Sequence, residues 1–424
     1  MMAAILFFSF IILIFLGVPV AFSLGLSSLF YLILADIPLS IIPQKMFGGL
    51  NSFVLLCIPG FILAGNLMNA GGITDRIIQF ANNCFGHIRG GLGLANVGSS
   101  MGFAGISGTA LADTASIGAI LIPAMKKEGY GAGFSAAVTA SSSTVGPIIP
   151  PSLPMIIVGT LASVSIGDLF LAGALPGLLL GVGLMIPTYI ISVKRNYPKG
   201  ERKSLKVIWK SFTGAFWALF MTVIILYGIL GGYFTPTEAS VIAVLYAFVI
   251  GIFVYKELPI KKIPEIMLSS MTGTASIMLL VGFANLFGWI MISEQIPQMV
   301  ADAILGISTN PIVVILLINL LLLFVGTFME TIAALVILFP VLLPVAASIG
   351  MDPVQFGVMM VLNLVIGLVT PPVGVCLFVA SQIGKVSIGK TAKELLPFLG
   401  VSLAVLMLVA FVPQISMFLP SLFE

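Results

Sequence analysis

From Phe216 to Tyr233, and again from Val401 to Val412, the chain carries no charged side chain. Comparable apolar runs recur along its length and leave few folds open. In hydrocarbon every backbone N–H and C=O must be satisfied inside the protein, so a lipid-embedded chain spans as helices or as a closed barrel. Barrel strands alternate apolar and polar residues, whereas these runs are continuous. Composition agrees: 59% of the 424 residues are hydrophobic and 8% charged, against about a quarter charged in soluble domains. The chain reads as an all-α polytopic membrane protein.

Residues 1–35 are too long for one upright helix of about 20 residues, and Gly17-Val18-Pro19 divides them. The N-terminus has no basic n-region and no A-x-A site before Gly17, so it reads as a span, not a cleaved signal. Further spans fall near 50–70, 132–160, 168–192, 212–231, 238–255, 267–292, 354–382 and 395–418. Together with two further apolar stretches, 92–124 and 311–346, this gives about 10–12 transmembrane helices. Lys and Arg orient the set, because cytoplasmic loops collect them. Loop 194–210 holds seven, loops 256–262 and 385–393 three each, and Arg76, Arg89, Lys126 and Lys127 complete one side. Lys45 alone falls on the other. This sorting requires 92–124 and 311–346 each to return to the side they left, as re-entrant hairpins, and places both termini outside.

The chain also repeats itself. "STVGPIIPP" (143–151) aligns with "LVIGLVTPP" (364–372), "GTALADTAS" (108–116) with "GTFMETIAA" (326–334), and "AGNL" (64–67) with "FANL" (283–286). Gly146 pairs with Gly367, Asp113 with Glu330 and Asn66 with Asn285. The charge pattern gives the two copies opposite orientations. An inverted repeat with helices broken at matching places points to a transporter with its binding site near the midplane.

A helix broken within the membrane offers carbonyls at one half's end, suited to a hard cation such as Na⁺, and amides at the other's start, suited to a carboxylate. The candidate cation shell of the first half is Ser107, Gly108 and Thr109 at a hairpin tip with Ser142, Gly146, Ile149 and Pro150 at the break. The second half offers Gly326, Thr327, Gly367, Thr370 and Pro371. Small residues and hydroxyls also serve ordinary helix contacts. Asp113 and Glu330 carry two readings: cation coupling, since intramembrane carboxylates default to function, or acceptance of hairpin-tip amides at a helix start. Substrate candidates are Ser143, Thr144, Thr109, Thr327, Asn66 and Asn285.

Other chemistries lack support. "GISG" (105–108) matches an intramembrane serine-protease motif, but the only histidine, His87, lies upstream in a polar amphipathic stretch, and a nucleophilic serine needs a nearby base. Walker A and H-E-x-x-H sequences do not occur. Three scattered cysteines form no metal or disulfide pattern, and no nucleic-acid partner is expected, because the basic residues sit beside spans.

The segments "GVPVAFSLG" (17–25), "IPGFILAGNLMNAGGITDRI" (58–77), "FAGISGTALADTASIGAILIPAMKKEGY" (103–130), "SSSTVGPIIPPSLPMIIVG" (141–159) and "VGTFMETIAALVILFPVLLP" (325–344) resemble the large membrane (M, DctM-type) subunit of tripartite ATP-independent periplasmic (TRAP) transporters. The resemblance implies an elevator-type, Na⁺-coupled importer of organic acids in a Gram-negative inner membrane, with a periplasmic substrate-binding protein (P subunit). Family Na⁺ sites at hairpin tips and breaks carry over to Ser107, Gly108, Gly146 and Pro150, and to Gly326, Gly367, Thr370 and Pro371. Without a Q-like leading segment, a separate small four-helix Q subunit is expected. Overall similarity favours sialic acid over a C4-dicarboxylate or another sugar acid; the alternative is a self-sufficient ion-coupled anion exchanger. The implied organisation is scaffold over 1–70, a first transport half over 71–160, scaffold and connecting helices over 161–292, a second transport half over 293–384, and a closing loop and helix over 385–424.

Overall fold

The computed structural model describes residues 2–423, and among them every regular element is helical. Three helices come first: α1 (Met2–Phe15), α2 (Val20–Leu34) and α3 (Ile41–Leu50). A first unit follows with α4 (Cys57–Ala70), α5 (Ile73–Phe85), α6 (Gly91–Ser107), α7 (Ala110–Lys127), α8 (Ala132–Ser143), α9 (Leu153–Ala162) and α10 (Ile166–Lys194). Two connecting helices, α11 (Leu205–Leu230) and α12 (Pro236–Val249), lead to a second unit of the same order. It comprises α13 (Ile263–Ser293), α14 (Ile296–Ile307), α15 (Pro311–Gly326), α16 (Thr331–Ser348), α17 (Pro353–Gly367), α18 (Val375–Gly384) and α19 (Ile388–Phe411).

By length and composition, seven of the described helical segments are long and apolar enough to cross a membrane. The remaining apolar helices are 10–17 residues long: α1 from Ile5, α2, the arm α14, the hairpin arm α15 and the half-helices α9, α17 and α18, each shorter than the roughly 20 residues of an upright span. Large apolar side chains cover the outside, among them Leu320 at 67% exposure and Phe324 at 66%. A surface like this suits lipid, not water. α3 is an element the sequence reading did not anticipate, because Pro43 and Gly48-Gly49 interrupt its apolar pattern. It forms where α13 supports it, and Gly49 lets Asn285 approach so closely that a methyl there would lie 2.5 Å from Asn285 Cβ.

The interruptions fall where local chemistry demands them. α1 and α2 are divided at Gly17, whose φ is +81°, and Pro19. α12 opens with a capping box in which Thr235 N–H donates to Glu238 Oε2 (2.8 Å) and Glu238 N–H to Thr235 Oγ1 (3.2 Å). α8 tightens into three-residue turns at Thr144, Val145 and Gly146 before Pro147 halts it, and α17 does the same at Leu368, Val369 and Thr370 before Pro371. Proline lacks the N–H that would continue the ladder. The Pro150-Pro151 and Pro371-Pro372 peptide bonds are both cis.

Each unit's break packs against the other unit: α18 lies on α7 and α8, and α9 lies on α16 and α17. Basic loops gather at one end of the molecule. Arg89 Nη1 donates to Asn196 Oδ1 (2.7 Å), Lys126 Nζ to Gly384 O (2.8 Å), and Arg195 pairs with Glu394 (2.7 Å). Both feet of the α6–α7 hairpin therefore stand at the same end. Lys45 lies apart from this group, over the Trp289 ring.

Candidate functional site

Between the two units lies a cavity of about 400 Å³. One wall is Pro19, Val20 and Ala21 before and within α2, with Ser276, Ile277 and Leu280 of α13. The other wall carries the starts of four helices: Ala110 of α7, Pro154 of α9, Thr331 of α16, and Val375 of α18. No Lys or Arg lines it. Helix starts present amides that can meet an anion; Glu330 stands on the same wall, and its carboxylate accepts two of the α16 amides. Thr331 Oγ1 on this wall is buried without a hydrogen-bond partner.

The first hairpin turns at Gly108, whose φ of +61° is the left-handed backbone that glycine adopts freely. Thr109 caps α7, accepting from Ala112 N (3.4 Å). Ser107 Oγ donates to Asp113 Oδ1 (2.5 Å). Asp113 is fully buried, and its Oδ2 has no partner. That oxygen faces the break: a methyl on Gly146 would lie 2.7 Å from it. Gly108 meets Pro151 and Leu153, and the Pro150 carbonyl faces Gly105. The structure thus brings Ser107, Gly108, Asp113, Gly146 and Pro150 together. The Ile149 side chain packs on Gly177 of α10.

At the second tip Gly326 and Gly367 meet backbone to backbone, and the Thr327 carbonyl accepts the Gly374 N–H (3.0 Å). Glu330 is the N-cap of α16, accepting from Ile332 N (2.9 Å) and Ala333 N (3.2 Å). The aligned carboxylates therefore do different jobs: Glu330 caps its helix, whereas Asp113 points across to the break. Pro371 is exposed, while Pro150 is buried.

Several hydroxyls turn away from the cavity. Thr144 Oγ1 donates to Ser141 O, Thr327 Oγ1 to Phe324 O and Thr370 Oγ1 to Ile366 O. Ser143 Oγ accepts from Thr114 Oγ1 (2.7 Å) and Ser142 Oγ donates to Asn96 Oδ1 (3.1 Å). These side chains stitch helices together. The two asparagines expected at the substrate do not line this cavity: Asn66 Nδ2 donates to Ser270 Oγ (2.8 Å) between α4 and α13, and Asn285 lines a second cavity. Both stand on the helix before each amphipathic arm, one step removed from the tips and breaks.

A buried asparagine joins the hairpin to the broken helix in each unit. Asn96 of α6 bonds Thr139 and Ser142 of α8, and Asn319 of α15 bonds Asn363 of α17 (2.7 Å). Each seam fixes a hairpin to the broken helix that follows it. The signal was present, since Ser142 and Asn363 stand at the same offset as Gly146 and Gly367.

Comparison with known proteins supports one family. A family model described as the DctM component of tripartite ATP-independent periplasmic transporters matches residues 7–415. The sialic acid TRAP transporter large permease SiaM of Vibrio cholerae is 46% identical over 97% of this chain and 96% of its own length. The isethionate TRAP permease DctMQ of Oleidesulfovibrio alaskensis is 44% identical over 98% of this chain and 66% of its own. Among solved structures, the YdaH transporter of Alcanivorax borkumensis shares the fold, with TM-score 0.61 at 15% identity over 90% of this chain and 89% of that one. These relatives are transporters, so the G-x-S-G match marks no enzyme.

Proposed function

The chain belongs to the DctM family of tripartite ATP-independent periplasmic transporters, as a multi-pass large permease of organic-acid uptake in the Gram-negative inner membrane, and from that premise we propose a Na⁺-coupled importer whose substrate carboxylate binds in the central cavity. The observation that carries this reading is the convergence of four helix starts on one cavity without a basic side chain. Amides at helix starts bind carboxylates directly. Sialic acid is the favoured substrate, on the likeness to SiaM.

Na⁺ takes oxygen donors, and the tips and breaks supply them. In the first unit these are Ser107, Gly108, Asp113, Gly146 and Pro150; the unpartnered Asp113 Oδ2 fits a cation ligand, because buried oxygens seldom stay unpaired. In the second they are Gly326, Thr327, Gly367, Thr370 and Pro371, with Glu330 adding negative charge beside the cavity. A cation there offsets Glu330 and raises the affinity for an anion, and by linkage the anion raises the affinity for the cation. The hairpins are re-entrant, and 71–160 with 293–384 move as one elevator against the remaining scaffold. A small four-helix Q subunit supports that scaffold, and a periplasmic binding protein delivers the ligand.

Co-reconstitution with Q and the binding protein tests this. Labelled sialic acid should accumulate only under an inward Na⁺ gradient and only with both partners present. Uptake by this chain alone would overturn the partner requirement, and uptake indifferent to Na⁺ would overturn the coupling.

A further inference from the structure

A second cavity, of about 370 Å³, is stacked on the central one along the same three helices. On α9, Pro154 lines the central cavity and Ile157, Thr160 and Leu161 the second. On α13, Leu280 lines the first and Val281, Ala284 and Asn285 the second. On α16, Ala333 lines the first and Val336 and Pro340 the second. Pro154 and Ile157, Leu280 and Ala284, and Ala333 and Val336 are each about one turn, or about 5 Å, apart along their helix. Both α9 and α16 run outward from the central cavity, so the second chamber lies toward the end away from the basic loops.

Its fourth wall is α3, which brings Lys45. Among the described residues no carboxylate pairs with Lys45, and its Nζ rests 5.0 Å from the centre of the Trp289 ring. Among the described residues the Asn285 amide has no hydrogen-bond partner, and the side chain is exposed and lines the chamber. An ammonium, a free amide and an indole face thus converge in a chamber whose one Lys or Arg is Lys45. This set recognises a carboxylate attached to a partly apolar body: the charge meets Lys45, an oxygen meets the amide, and the body meets Trp289.

We propose that this outer chamber is a carboxylate-capture site, occupied by the organic acid before it moves one turn inward to the four helix starts. The proposal rests on the reading of the chain as an organic-acid importer. It assigns Lys45 and Asn285 to loading of the central cavity. Lys45 draws the anion into the chamber, and the unpaired amide fixes its orientation. The central cavity, with no cationic side chain, then competes for the carboxylate through its amides.

Trp289 is the natural reporter. With Trp209 and Trp217 replaced by Phe it becomes the only indole, and titration with sialic acid or succinate should shift its emission saturably, while a neutral hexose should not. Lys45→Ala should raise the half-saturating concentration at least about tenfold, a loss of ~1.4 kcal/mol, in both the titration and binding-protein-dependent uptake. Lys45→Arg should recover most of it, and Asn285→Ala should weaken the titration in the same direction. Unchanged emission with both acids, or unchanged half-saturation in Lys45→Glu, would overturn the capture site. Absence of Na⁺-driven uptake by the unmodified complex would overturn the transport reading instead, and the emission titration would still report on the chamber.

Discussion

Asp113 Oδ2 and Gly146 stand against one another so closely that a methyl on Gly146 would come within 2.7 Å of the oxygen. The contact joins a hairpin to a helix break, and only glycine leaves room for it. Gly146→Ala should displace the carboxylate and reduce Na⁺-driven uptake at least about tenfold, while gel filtration shows a folded protein. Asp113→Asn removes charge without volume and should weaken the Na⁺ dependence in the same direction. Unaltered Na⁺ dependence in both variants would remove Asp113 from the cation site.

Gly367 has no such latitude. A methyl there would lie 2.5 Å from Gly326 Cα, and backbone cannot swing aside as a side chain can. Overpacking of this kind costs about 1–3 kcal/mol, so Gly367→Ala should lower the Tm in detergent. Gly214→Ala in α11, where nothing lies within 4 Å, should leave it level or raise it.

Glu330 accepts two amides at the start of α16. Replacing a capping side chain by Ala costs about 0.5–2 kcal/mol, and Asn is among the preferred caps. Glu330→Ala should therefore lower the Tm and Glu330→Asn should largely restore it. Uptake by Glu330→Asn then separates capping from charge: equal Na⁺ dependence assigns Glu330 to capping alone.

Outside the spans, Glu257 takes both Arg76 Nη atoms, at 3.0 and 2.8 Å. That bond holds its carboxyl below the usual glutamate range. A depressed folded value stabilises above the unfolded pKa of about 4.3, and the gain is lost as pH falls through the folded value. Glu257→Gln should cost at most ~1 kcal/mol near pH 7, since the pair is half-exposed. The Tm curves of variant and parent should converge below pH 4.

By itself the sequence determined the helical class, the two breaks, the hairpin turns and the one-sided basic loops. These follow from local rules: continuous apolar runs, prolines without N–H groups, glycines at turns, and charge that water retains. Only tertiary structure decided which aligned residues share a role. Asp113 and Glu330 align, yet one caps its own helix and the other faces a break in a different helix. Ser142 and Thr144 sit beside Gly146 in sequence, but helical geometry turns their hydroxyls into seams and back-bonds. Asn66 and Asn285 align as well, and neither reaches the central cavity. A break in a helix can be read from the residues that make it. The direction of a side chain, and the cavity shared by four helix starts far apart in the chain, depend on how the two units pack.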